Sequence, residues 1–223
     1  KCREEVGSDF AISIKMNSAD FQKGGFSSED SIQVAKLFSD SGIDNIEISG
    51  GTYEQPRLLG LDKVSINPKR SENRKESTIA REAYFLSYAE EIAKVVNIPL
   101  MVTGGFRTKE GMEAALADGA CEIVGVGRPL CANPYAIKEL LAGKIDELPK
   151  YEKTLSIGPW WLSPTSPFRL IQAINAFSAQ AWFYQQIKKM GKGLMPDLNL
   201  KPWKAFREDA KADQEAIKEY QNI

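Results

Sequence analysis

The chain has 223 residues, a formal net charge of −1 and no histidine. Charge so near balance argues against a nucleic-acid or anionic-membrane binder, which needs a basic excess, and no apolar run reaches the roughly 20 residues of a membrane span. With no charged-then-apolar leader and enough length for one sizeable core or two small ones, we expect a soluble, cytoplasmic protein with no membrane or nucleic-acid partner.

FAISIKM, Phe10 to Met16, predicts a strand, with Lys15 near its end. In SSEDSIQVAKLFSDSG, Ser27 is a suitable N-cap, Ile32, Ala35 and Phe38 share one helical face, and Gly42 ends the helix. IDNIEISGG supplies a second strand, Ile43 to Ser49, closed by Gly50 and Gly51. The polar connection Thr52 to Thr78 is long enough to be a functional loop over the strand end. It leads into a helix in which Phe85, Leu86, Ala89, Ile92, Ala93 and Val96 follow the helical period.

IPLMVTGG is the third strand, and Thr108 caps the helix KEGMEAALADG. CEIVGVGRPL is the fourth, and Asn133-Pro134 forms an N-cap and first-turn pair for PYAIKELLAGK. Near-continuous Ile/Val runs between amphipathic helices predict parallel strands covered by helices, an α/β sheet or barrel. The cysteines Cys2, Cys121 and Cys131 are odd in number and have neither CxxC nor zinc-ligand spacing, so no disulfide framework or metal site is expected. Cys121 is expected in the core and Cys131 nearer solvent.

After the irregular, aromatic YEKTLSIGPWWLSPTSP comes one long helix from FRLIQAINAF to Gly191 or Gly193. Leu170, Ile174, Phe177, Ala181 and Tyr184 are its expected packing face, and its glutamines exclude a membrane span. A charged helix with a weak apolar face closes the chain. We divide the sequence into residues 1–150, the strand-and-helix domain, and 151–223, an aromatic and helical extension.

In parallel α/β proteins ligands sit at the carboxyl ends of strands. There lie Lys15, Ser49-Gly50-Gly51, Thr103-Gly104-Gly105 and Gly125-Val126-Gly127-Arg128. Glycine lets a phosphate approach backbone N–H groups, and Arg128 can grip its oxygens through two N–H groups. The alternative is that these glycines only make tight turns and Arg128 pairs with an acid. GVGRPL lacks the third glycine of a dinucleotide fingerprint. Lys15 either snorkels to solvent or meets a ligand. Asn17, Asp20, Ser49 and Tyr53 are placed to line a substrate site, yet turn and cap chemistry explains each equally.

IKMNSADFQKGGFS, GIDNIEISGGTYEQP, REAYFLSYAEEIAKVVNIPLMVTGGFRT and EIVGVGRPLCANP, in that order, resemble the second half of the old yellow enzyme family, the FMN-dependent NADH:flavin oxidoreductases and ene-reductases. The resemblance covers about residues 1–145, and AQAWFYQQI resembles the C-terminal helix of some fungal-type members. It implies a (β/α)8 TIM-type barrel whose fifth to eighth strands are present here. It further implies an FMN phosphate held by Gly104, Gly105, Phe106, Gly127 and Arg128, and Lys15 beside the flavin N1 and C2 carbonyl. Lysine there is a mild departure, since many relatives have arginine.

NADH or NADPH would reduce the flavin, which would pass a hydride to an activated alkene or similar small molecule. The family's substrate-binding His-His or His-Asn pair and its tyrosine proton donor belong to the first four strands, so no catalytic residue is assigned here. We expect a fragment first, then a chain that pairs with a separate first half, then a half-barrel that dimerises. An open four-stranded sheet would leave two edges and an apolar inner face exposed, favouring association that completes the barrel. The rival readings are a non-catalytic phosphate-ligand or interaction half-barrel, and a barrel isomerase or aldolase with Lys15 as Schiff-base amine.

Overall fold

The computed structural model describes residues 1–20, 24–49 and 85–221. Gly50, Gly51, Tyr53 and the connection Thr52 to Thr78 lie outside the described residues. The chain divides into two compact units, Lys1–Gly127 and Arg128–Ile223.

In the first unit, helix α1 (Cys2–Val6) leads to β1 (Ser13–Asn17), α2 (Ser28–Asp40), β2 (Asn45–Ser49), α3 (Leu86–Ala93), β3 (Leu100–Thr103), α4 (Lys109–Ala117) and β4 (Ile123–Gly125). The strands form one parallel sheet in chain order, β1-β2-β3-β4. This is the arrangement that successive β/α units produce. Two of the three expected N-caps form. The Ser27 hydroxyl accepts from the Asp30 amide while the Asp30 carboxylate accepts from the Ser27 amide, and the Thr108 hydroxyl accepts from the Gly111 amide at 3.1 Å. Gly42, at φ 78, takes the left-handed turn that ends α2.

Register divides the sheet into two unlike faces. Met16 and Ile48, and Ile46 and Leu100, pair across neighbouring strands and face the helices. With Val102 they join Ala35 of α2, Ala89 and Ile92 of α3, and Ala115 of α4 in the core, together with Phe85, Phe106 and Cys121. The opposite face carries Ser13, Lys15 and Asn17, then Asn45, Glu47 and Ser49, then Met101 and Thr103, then Ile123 and Gly125. Among the described residues the helices of this unit therefore cover one face. The open face also corrects the expectation that it would be apolar. On β1 and β2 it is a polar ladder, with Ser13 Oγ donating to Asn45 Oδ1 at 2.7 Å and Lys15 Nζ donating to Glu47 Oε1 at 2.5 Å; Met101 and Ile123 are its apolar part.

In the second unit a 3-10 turn at Arg128–Cys131 precedes α5 (Ala136–Leu141). α5 starts later than expected. Asn133 Oδ1 accepts from the Tyr135 amide at 3.0 Å, an Asx turn that starts three residues ahead of the first helical residue, in place of a direct cap. Further 3-10 turns at Tyr151–Lys153 and Trp160–Leu162 lead to α6 (Arg169–Gly191) and α7 (Pro202–Gln221).

The face that α6 buries is not the expected one. Leu170, Phe177 and Tyr184 are exposed, and Asn175, Ser178, Trp182 and Gln186 are buried, with Ala181 beside them. Hydrogen bonding accounts for the rotation. Asn175 accepts from the Ile157 amide at 3.0 Å and donates to the Leu162 and Ile171 carbonyls, each at 2.8 Å. Gln186 accepts from the Asp197 amide and donates to the Asp197 carbonyl, and Trp182 Nε1 donates to the Leu200 carbonyl. The segments around 157–162 and 197–200 have no strand or α-helix partner, so these side chains satisfy their backbone. Trp182 then anchors a core with Ala132, Leu155, Phe183, Leu200 and Ala205.

Asn175→Ala is accordingly expected to lower unfolding stability by about 2 kcal/mol, because it strands buried backbone groups. Phe177→Ala, at a position 57% exposed, should change it by less than about 0.5 kcal/mol. Urea unfolding of the two variants checks the contrast, and the opposite order would restore the expected face.

Candidate functional site

The strand ends of the first unit gather most of the residues singled out in the sequence. At the end of β3, Gly104 and Gly105 have φ of 132 and 86, conformations that side chains rarely adopt. The chain thus turns out of the strand through two glycines. Phe106 follows, but its side chain is 1% exposed and belongs to the core. Its backbone alone is left to meet a ligand. Arg107 is buried, and its guanidinium donates to the Phe106 carbonyl at 2.7 Å.

β4 pairs with β3 in the register Thr103 to Gly125. The two glycines after this point serve different ends. A Cβ on Gly125 would come 1.8 Å from Thr103 Oγ1 and 2.7 Å from Met101 Cε. Gly125 is therefore a notch filled by β3 side chains, which corrects its reading as part of a bare phosphate approach. A Cβ on Gly127 would meet nothing within 4 Å, so this position opens onto free space.

Lys15 lies on the open face at the middle of β1, its side chain 55% exposed, with its amine on Glu47, whose side chain is 19% exposed. Burial opposes ionisation of Glu47, but the hydrogen bond from Lys15 and the nearby Thr103 hydroxyl outweigh it and hold the carboxyl below its usual range. Sequence reading missed Glu47, and it named Thr103 only as part of the Thr103-Gly104-Gly105 strand end. The available signal was the alternation in NIEIS, where a lone acid shares the strand face of Asn45 and Ser49.

Asn17, Asp20 and Ser49 do turn and end chemistry. Asp20 accepts from the Asn17 side chain at 3.0 Å and from the Phe26 amide at 2.9 Å, and Ser49 Oγ donates to the Met16 carbonyl at 3.3 Å. Arg128 opens the second unit, where its guanidinium lies 3.8 Å from the Glu152 carboxylate. Among the described residues no group of three or more His, Cys, Asp or Glu side chains could hold a metal ion, and no helix is long and apolar enough to cross a membrane.

No family model matches the chain. Curated relatives do. It is 39% identical over 141 residues to the NADH-dependent flavin oxidoreductase iliE of Hypocrea jecorina, an alignment covering 62% of this chain and 33% of that protein. It is 30% identical over 195 residues to the NADH-dependent flavin oxidoreductase iccE of Talaromyces variabilis, covering 85% of this chain and 44% of the relative. The chain belongs to the flavin oxidoreductases of the old yellow enzyme family.

Among bacterial proteins, this old yellow enzyme family chain is 31% identical to the NADH oxidase of Thermoanaerobacter brockii, over 85% of its own length and 27% of the relative's. The chain thus spans less than half of each of these relatives. Of solved structures, a 2-naphthoyl-CoA reductase complex superposes with a TM-score of 0.51 at 25% identity, over 66% of this chain and 20% of that one. The likeness places the parallel sheet within the family's TIM-barrel architecture.

The notch reading predicts that Gly125→Ala destabilises this family member by about 1–3 kcal/mol through overpacking against Thr103 and Met101. Gly127→Ala should cost less than about 0.5 kcal/mol. Denaturant midpoints of the two variants test this, and equal losses would refute it.

Proposed function

We propose that the chain is an FMN-binding portion of an NADH-dependent flavin oxidoreductase. The observation that carries the reading is the pair of glycine ends on adjacent parallel strands, Gly104-Gly105 at positive φ after β3 and Gly127 after β4. Positive-φ glycines and an open glycine suit the close approach of a phosphate to backbone N–H groups. We assign the FMN phosphate to Gly104, Gly105, the Phe106 backbone and Gly127, with Arg128, the next residue in sequence, as the guanidinium that grips it.

Lys15 is assigned to the acceptor edge of the isoalloxazine. Its N–H groups orient the ring and its charge opposes negative charge on the reduced flavin. The bound flavin would supply hydride transfer from NADH or NADPH to an activated alkene or similar acceptor. The proton donor and carbonyl-binding pair that the family resemblance implies have no counterpart here, and no histidine is present to serve. We assign those roles to strands beyond this chain. Among the described residues β1 and β4 each pair with one neighbour only, and the open polar face between them suits further strands that complete a barrel. We place the chain in a reducing, cytoplasmic setting, which suits three cysteines without CxxC or zinc-ligand spacing.

One observation favours the non-catalytic alternative: Arg128 already has a carboxylate beside it. A titration of the purified chain into FMN, followed by quenching of flavin fluorescence, tests both readings. Saturable quenching is expected, weakened by about tenfold to a hundredfold in Arg128→Ala, the range of one charge-assisted contact. No quenching by a folded chain would overturn the flavin reading. Quenching indifferent to Arg128→Ala would return that arginine to a structural pair with Glu152.

A further inference from the structure

The polar ladder on the open face has a component that the flavin reading does not use. Lys15 and Glu47 stand in one row of the sheet, and the acid is the less exposed of the two, 19% against 55%. A short, half-buried carboxylate is the fixed member of such a pair, and the flexible lysine stem brings its amine to it. Glu47 is held in turn by its neighbours. One row further along, Ser49 stands next to Thr103. The Thr103 hydroxyl is buried, lies on the Glu47 side of the sheet where it helps to hold that carboxyl below its usual range, and is seated over the notch at Gly125. Gly125, Thr103, Glu47 and Lys15 thus form one run of support across all four strands.

An ammonium carries three N–H donors and no acceptor. Glu47 takes one at 2.5 Å. Two remain for a ligand, on a pair whose net charge is close to zero. We propose that Glu47 is a positioning residue that fixes the Lys15 amine over the open face as a charge-compensated donor to the acceptor edge of a flavin, and so limits how strongly Lys15 favours the reduced, anionic flavin over the oxidised one. The proposal rests on the flavin reading above and deepens it: Lys15 alone would supply a full charge, whereas the pair supplies direction with little charge. An ordinary exposed ion pair would give little stability and would leave a flavin's redox balance untouched.

The test uses the 223-residue chain and three variants, Glu47→Gln, Glu47→Asp and Lys15→Met. Without ligand, carbon-13 NMR follows the Glu47 carboxyl. It should titrate below the ordinary value in the parent chain and move upward in Lys15→Met. The sign for stability follows: the pair's contribution is complete above the ordinary Glu value of 4.5 and is lost as pH falls through the lower folded one. With ligand, anaerobic titrations with oxidised and reduced FMN give the ratio of the two affinities. Glu47→Gln uncovers the charge of Lys15 and should raise the reduced-to-oxidised ratio by about tenfold, equivalent to about 30 mV for two electrons. Glu47→Asp should stay near the parent ratio, and Lys15→Met should fall below it. A parent-like ratio in Glu47→Gln, or a Glu47 titration unmoved by Lys15→Met, overturns the proposal and leaves the flavin reading standing. Failure of the folded parent chain to bind FMN overturns the flavin reading and this role for Glu47 with it.

Discussion

In a parallel sheet, residues in register share a face, and the side chains along each strand alternate between the two faces. Everything in the first unit depends on that parity. Pairing Lys15 with Glu47 and Ile46 with Leu100 puts every charge of the sheet on the open side and Met16, Ile48 and Val102 under the helices. A slip of one residue would drive Lys15 and Glu47 into the core at a cost of several kcal/mol per ion, and would strip Ile46 and Ile48 of their cover. No shift by an odd number of residues satisfies both faces.

The same parity explains why the site is assembled where it is. Strand ends that finish on the open side deliver Ser49 and Thr103 to one row, and the backbone then turns away through glycines whose φ values other residues would resist. Gly125 and Gly127 sit two residues apart in one motif and are glycine for unrelated reasons. The first makes room for Thr103 and Met101, and the second has open space where a side chain would stand.

The second unit is governed by hydrogen-bond satisfaction. Its connecting segments carry backbone groups that no ladder pairs, and α6 turns its amides and its indole toward them. Burying Asn175 and Gln186 in place of Leu170 and Phe177 sacrifices apolar burial. It avoids a larger cost, since an unpaired buried amide or carbonyl loses the full free energy of its hydration.

Element order, strand identity and two of the three helix N-caps were legible in the sequence, because Ser27, Thr108 and Gly42 act on their own neighbours and the Ile/Val runs leave little else to form. The family resemblance, too, was carried by linear motifs. Three things were decided only by the tertiary structure. Glu47 gained its partner because β1 and β2, 32 positions apart at this pair, fell into one register. Gly125 lost its expected exposure because a neighbouring strand filled it. The buried face of α6 was set by carbonyls and amides up to 18 residues away, which no helical period encodes. Local chemistry is written along the chain, whereas register and the satisfaction of distant backbone groups exist only once the segments have met.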